Sequence, residues 1–71
     1  MNIKPRLNEL LKQHGYTSQL QFCKQHGLSQ HSINKFDKNK AFHIKTLFMI
    51  SRALGVSIEE LFIVDEIYEE N

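Results

Sequence analysis

Apolar residues recur along this chain in short helical rhythms punctuated by glycine. Leu7, Leu10 and Leu11, with His14 in the next place, keep the i, i+3, i+4, i+7 spacing of one helix face. The spacing predicts a first helix from residue 4 or 5 to residue 14. Pro5 suits its first turn, where a missing N–H is no loss, and Gly15 ends it. A second helix is predicted over 18–26, with Ser18 and Gln21 in capping-box spacing. Gly27 follows, able to take the positive φ found just past a helix end. Ser29 is placed to cap a third helix over 29–37. Ile44, Leu47, Phe48, Ser51 and Leu54 form a fourth stripe, with Ile50 at its edge, and are expected in the core. Gly55 stops it, and His43 offers no obvious cap at its start. Ser57 and Glu60 repeat the capping box before a short last helix carrying Ile58, Leu61 and Phe62. Beyond residue 63, Val64, Ile67 and Tyr68 fit helical spacing, while 62–67 also fits a short strand.

The most informative stretch is QLQFCKQHGLSQHSINKF, from Gln19 to Phe36. Phe22, Leu28, Ile33 and Phe36 supply an inner face, and Cys23 gives the small side chain that two steeply crossing helices need. Gln30, His31, Asn34 and Lys35 lie opposite Ile33 and Phe36. A buried pair on one side and long polar side chains on the other is the pattern of a helix-turn-helix, in which the second helix enters the DNA major groove.

The sequence from about residue 6 to 62 resembles the phage-repressor (Cro-like, XRE-type) helix-turn-helix family of bacterial and phage regulators. The similarity rests on RLNELLKQHG, on QLQFCKQHGLSQHSINKFDKNK and on IKTLFMISRALGVSIEELF. It implies an all-α, five-helix, lambda-repressor-like domain over 1–63, followed by an acidic tail over 64–71. It also implies operator binding, commonly as a homodimer, and most often repression. Asn39 stands where the family often has glycine, and Asn tolerates the left-handed conformation better than most residues.

Composition narrows the alternatives. Seventy-one residues predict one small domain without a catalytic cleft or sensor module. The N-terminus does not read as a signal peptide, and no apolar run nears the ~20 residues of a membrane helix. One cysteine cannot form an internal disulfide, which suits a reducing cytoplasm. Net charge is only +1, but residues 1–45 carry +6 and residues 46–71 carry −5. Such polarity presents a basic side to phosphate and turns an acidic end away.

Direct readout needs donors and acceptors on long side chains. Gln30 pairs with adenine N6 and N7, Lys35 with guanine O6 and N7 or the backbone, and His31 with a guanine acceptor or phosphate. Asn34 completes the base-reading set. Ser29 and Ser32 are short enough for phosphate or a nearby base. Lys38, Lys40 and Lys45 are natural phosphate ligands. The family resemblance assigns the base contacts to the same four positions and adds Gln19 as a phosphate anchor. No cofactor or metal is expected: Cys23 and His26 have C-x-x-H spacing, but the remaining histidines are scattered, and zinc needs four converging ligands. There is no acid pair, glycine-rich phosphate loop or nucleophilic triad, so an enzyme is not expected. Two alternatives remain open. One is an antitoxin-type autorepressor whose tail also holds a toxin. The other is a protein-interaction module that has lost DNA binding, a reading encouraged by His26 in a commonly apolar place.

Overall fold

The computed structural model describes residues 1–66. Among these lie four α-helices, two single-turn 3-10 helices and two strands. The chain is mostly helical, as expected, but it is not a five-helix, all-α domain. A small antiparallel sheet pairs residues 2–5 with residues 62–65.

Strand β1 (Asn2–Pro5) pairs with β2 (Phe62–Asp65), with Ile3 opposite Val64 and Pro5 opposite Phe62. Residue 4 or 5 therefore does not open the first helix. Pro5 ends a strand instead, where its missing donor is tolerated because a two-stranded ribbon consists of edges. The chain is held here by its far end: Arg6 N donates to Leu61 O at 2.9 Å and Arg6 Nε to Glu60 O at 2.8 Å. Of the tail, Val64 and Asp65 complete β2; residues 67–71, including Ile67 and Tyr68, lie outside the described residues.

Helix α1 (Leu7–Gln13) buries Leu7, Leu10 and Leu11, while His14 is exposed beyond its end. Helix α2 (Gln19–His26) opens on Ser18, whose Oγ accepts the Gln21 amide at 3.1 Å. The Gln21 side chain reaches back one residue further than a capping box requires, accepting from both N and Oγ1 of Thr17 at 2.9 Å. Gly27 follows with φ +67°. The last predicted helix is a single 3-10 turn, Glu59–Leu61, and its capping box forms in both directions. Ser57 N donates to Glu60 Oε2 at 3.0 Å, and Glu60 N donates to Ser57 Oγ at 3.3 Å.

The segment predicted as one helix over 29–37 is divided. Helix α3 (Gln30–Asn34) ends at Lys35, and Phe36–Lys38 forms a 3-10 turn. Bonds from Lys38 N to Lys35 O (3.0 Å) and Asn39 N to Phe36 O (3.2 Å) tighten this second half. Asn39 itself is extended (φ −82°), so its tolerance for the left-handed region is not used.

Helix α4 (Ile44–Leu54) corrects the expected core. Ile44 is 71 % exposed and Phe48 47 %, whereas Ile50 is fully buried. The inward row is Leu47, Ile50, Ser51 and Leu54, one step around the helix from the predicted stripe. Spacings of three and four admit both rows, and packing on the other helices selects this one. The Ser51 hydroxyl donates to Val56 O, which lets a polar side chain lie in that row and draws the chain back after Gly55.

The core gathers Leu7, Leu10, Leu11, Phe22, Cys23, Ile33, Phe36, Ile50, Leu54 and Leu61. At one side, Phe36, Phe42 and Phe62 form an aromatic cluster with ring centroids 4.6, 5.3 and 5.9 Å apart. This cluster ties the end of the α3 segment to the sheet.

Candidate nucleic-acid interface

Two buried side chains set the aim of the α3 segment. Ile33 and Phe36 are both 1 % exposed, so their rotation about the axis is fixed by the core. Gln30, His31, Asn34 and Lys35 therefore lie on the outward side, all exposed, with no side-chain hydrogen bond to another described residue. A polar face held by two anchors and left free of internal bonds can enter a groove at no cost in broken contacts.

The flanking positions are equally open. Ser29 holds the N-cap position with extended backbone, but its hydroxyl makes no capping bond. Ser32, Lys38, Lys40 and Lys45 are exposed, and Gln19 is half-exposed at the first turn of α2. Helices α2 and α3 pack on each other through the turn at Gly27–Leu28.

Three relationships had no signal in the local sequence. The Asp37 carboxylate accepts the amides of Leu7 at 2.7 Å and Asn8 at 3.0 Å, capping α1 from the end of the α3 segment. Gln19 Nε2 donates to Asn8 Oδ1. His26 Nε2 meets Tyr16 Oη at 2.9 Å, and its ring lies 5.1 Å from that of Phe22. His26 is thus a satisfied, half-buried packing residue, and its departure from an apolar residue costs the motif nothing. Cys23 is buried, and burial pushes its thiol pKa up, which keeps it neutral and inert.

Charge is distributed less simply than the sequence suggests. Lys38 and Lys40 share the rim of an apolar cleft of about 660 Å³ with Asp37 and Glu59. Its walls are Ile3, Pro5, Phe42, Phe62 and Val64. The basic loop is thus adjacent to part of the acidic half rather than opposite all of it.

The family model of the Cro/C1-type HTH DNA-binding domain matches residues 6–66, from the end of β1 through β2. The chain belongs to this family. The match spans every helix of the domain and both partners of the Asp37 cap. No curated protein and no solved structure matches the chain. Membership makes this Cro/C1-type domain a DNA-binding regulator, and the family is typically non-enzymatic. No helix among its described residues is long and apolar enough to cross a membrane.

Proposed function

We propose that this chain is a cytoplasmic, sequence-specific repressor that occupies operator DNA as a homodimer. The carrying observation is the row Gln30, His31, Asn34 and Lys35, exposed and unbonded above the buried Ile33 and Phe36. In this reading those four side chains meet base edges. Gln19, Ser29, Ser32, Lys38, Lys40 and Lys45 meet phosphates. One short helix reads too few bases for an operator, so two copies on half-sites about 34 Å apart supply the remaining specificity.

A second copy also has a place to sit. Among the described residues the sheet has two strands, and such ribbons are marginal alone. Its face carries Ile3 at 58 % exposure beside Val64, over the apolar cleft. The DNA-binding domain over 1–63 and the acidic segment over 64–71 then meet within β2, whose last two residues, Val64 and Asp65, begin the segment that contributes to the dimer contact.

Selection of sites from random DNA by the purified chain tests the proposal. A consensus with two-fold symmetry is expected; recovery of no consensus at low salt would leave only an interaction module. Sedimentation tests the dimer, which Ile3→Lys should convert to monomer. A stable complex with a small protein in place of the second copy would move the reading to an antitoxin.

A further inference from the structure

We infer that Asn8 is a positioning residue: it orients the Gln19 side-chain amide toward the DNA backbone. The inference rests on the DNA-binding reading above and adds α1 to the apparatus that reading uses.

The Gln19 amide has two dissimilar ends. At the first turn of α2, only its NH2 end is useful to a phosphate, because the carbonyl would repel it. A free glutamine samples both orientations. Here Nε2 donates to Asn8 Oδ1. With Asn8 Oδ1 turned to it, the Gln19 amide keeps its NH2 end on this side, since rotating Gln19 alone would set two carbonyl oxygens face to face and the reverse arrangement needs both amides to turn together. It uses one N–H and leaves the second for a ligand. The pair stands in a shallow groove between α1 and α2, of about 240 Å³, which Lys12, Thr17 and Ser18 also line. A backbone phosphate approaching Gln19 meets this groove.

The main chain of Asn8, from which that side chain projects, is held by more than its place on α1. Its backbone amide donates to Asp37 Oδ2 at 3.0 Å, beside the Leu7 bond to Oδ1. One chain of hydrogen bonds thus runs from Gln19 through Asn8 to Asp37, two residues past the last base-reading side chain, Lys35. The phosphate anchor and the base-reading segment keep a common register because both are fastened to the first turn of α1. Orientation of a single anchor is worth having at this point: a small displacement at a fixed contact moves the whole inserted segment relative to the base edges.

Asn8→Ala separates this role from a structural one. The bond to Asp37 uses the backbone of residue 8, so it survives the substitution, and alanine is a better helix former than asparagine. The thermal midpoint should therefore not fall. DNA affinity should drop about fivefold, within the range that coupled neighbours show. Gln19→Ala should match it, and the double variant should be no weaker than the poorer single. The Gln19 side-chain amide signals in a nitrogen–proton spectrum of the free protein should shift in Asn8→Ala. They should return toward wild type in Asn8→Asp, which retains the accepting oxygen. Wild-type binding with an unaffected Asn8→Ala variant overturns the inference while leaving the DNA reading intact, as do losses that multiply in the double variant. A wild-type chain that binds no DNA at low salt overturns both.

Discussion

Asp37 Oδ1 accepts the backbone amide of Leu7 at 2.7 Å, across thirty residues of sequence. The bond satisfies an otherwise orphan donor at the start of α1. It also makes the end of the α3 segment part of the scaffold. With Asn8 on the other carboxylate oxygen, one side chain does the work of an N-cap that Arg6 cannot supply.

Asp37→Ala should therefore destabilise the domain by about 1–2 kcal/mol, the cost of losing a helix cap. Urea unfolding followed by circular dichroism measures it. A midpoint equal to wild type would show that α1 does not depend on this residue.

Gln30→Ala and Lys40→Ala should separate base reading from backbone attraction. The first should cost about 1–3 kcal/mol on the preferred site and relax selectivity at one base position. The second should weaken all sequences alike and lower the slope of log affinity against log salt by about 0.9. Titrations at several salt concentrations on matched and scrambled sites distinguish the two. Interchanged behaviours would contradict the assignment.

Gly27 at φ +67° has open space where a Cβ would stand. Gly27→Ala thus meets no clash and bears only the left-handed backbone penalty, about 1–2 kcal/mol. Unfolding measurements should return that figure; a neutral result would mean the turn relaxes to negative φ.

Cys23 gives the fold an alkaline sensitivity. Burial raises its folded pKa, so the native state holds the thiol proton more tightly than the unfolded chain does. Its stabilising effect is complete below the unfolded thiol pKa and fades as pH rises above it, by at most about 1.4 kcal/mol per pH unit. Thermal midpoints from pH 7 to 10 should fall more steeply in wild type than in Cys23→Ala. Parallel curves would remove the cysteine from the account.

Legibility in the sequence follows the range of the interaction. Ser18 with Gln21, Gly27, Gly55, and Ser57 with Glu60 all act within a few residues, and each stands at the helix end its chemistry predicts. The buried partners of the exposed row, Ile33 and Phe36, were equally readable, because their spacing admits one face. Ile44 and Phe48 misled for the opposite reason: a helix with apolar residues at 44, 47, 48, 50 and 54 has two candidate faces. Packing on its neighbours chose between them.

The stretch after Phe62 fitted a strand as well as a helix, but its pairing with β1 and the hydrogen-bond chain lay beyond any local signal. Pro5 reads as a helix start until Phe62, fifty-seven residues on, comes to stand opposite it. Nothing beside Asp37 in the sequence points to α1, thirty residues back, and nothing beside Asn8 points to Gln19. Periodicity and capping chemistry determined where α1, α2 and α4 coil and stop and which side of α3 points outward, since those depend on neighbours along the backbone. Only the folded chain decided how β1 and β2 pair and what braces the outward row, since those bonds exist only between residues that folding brings together.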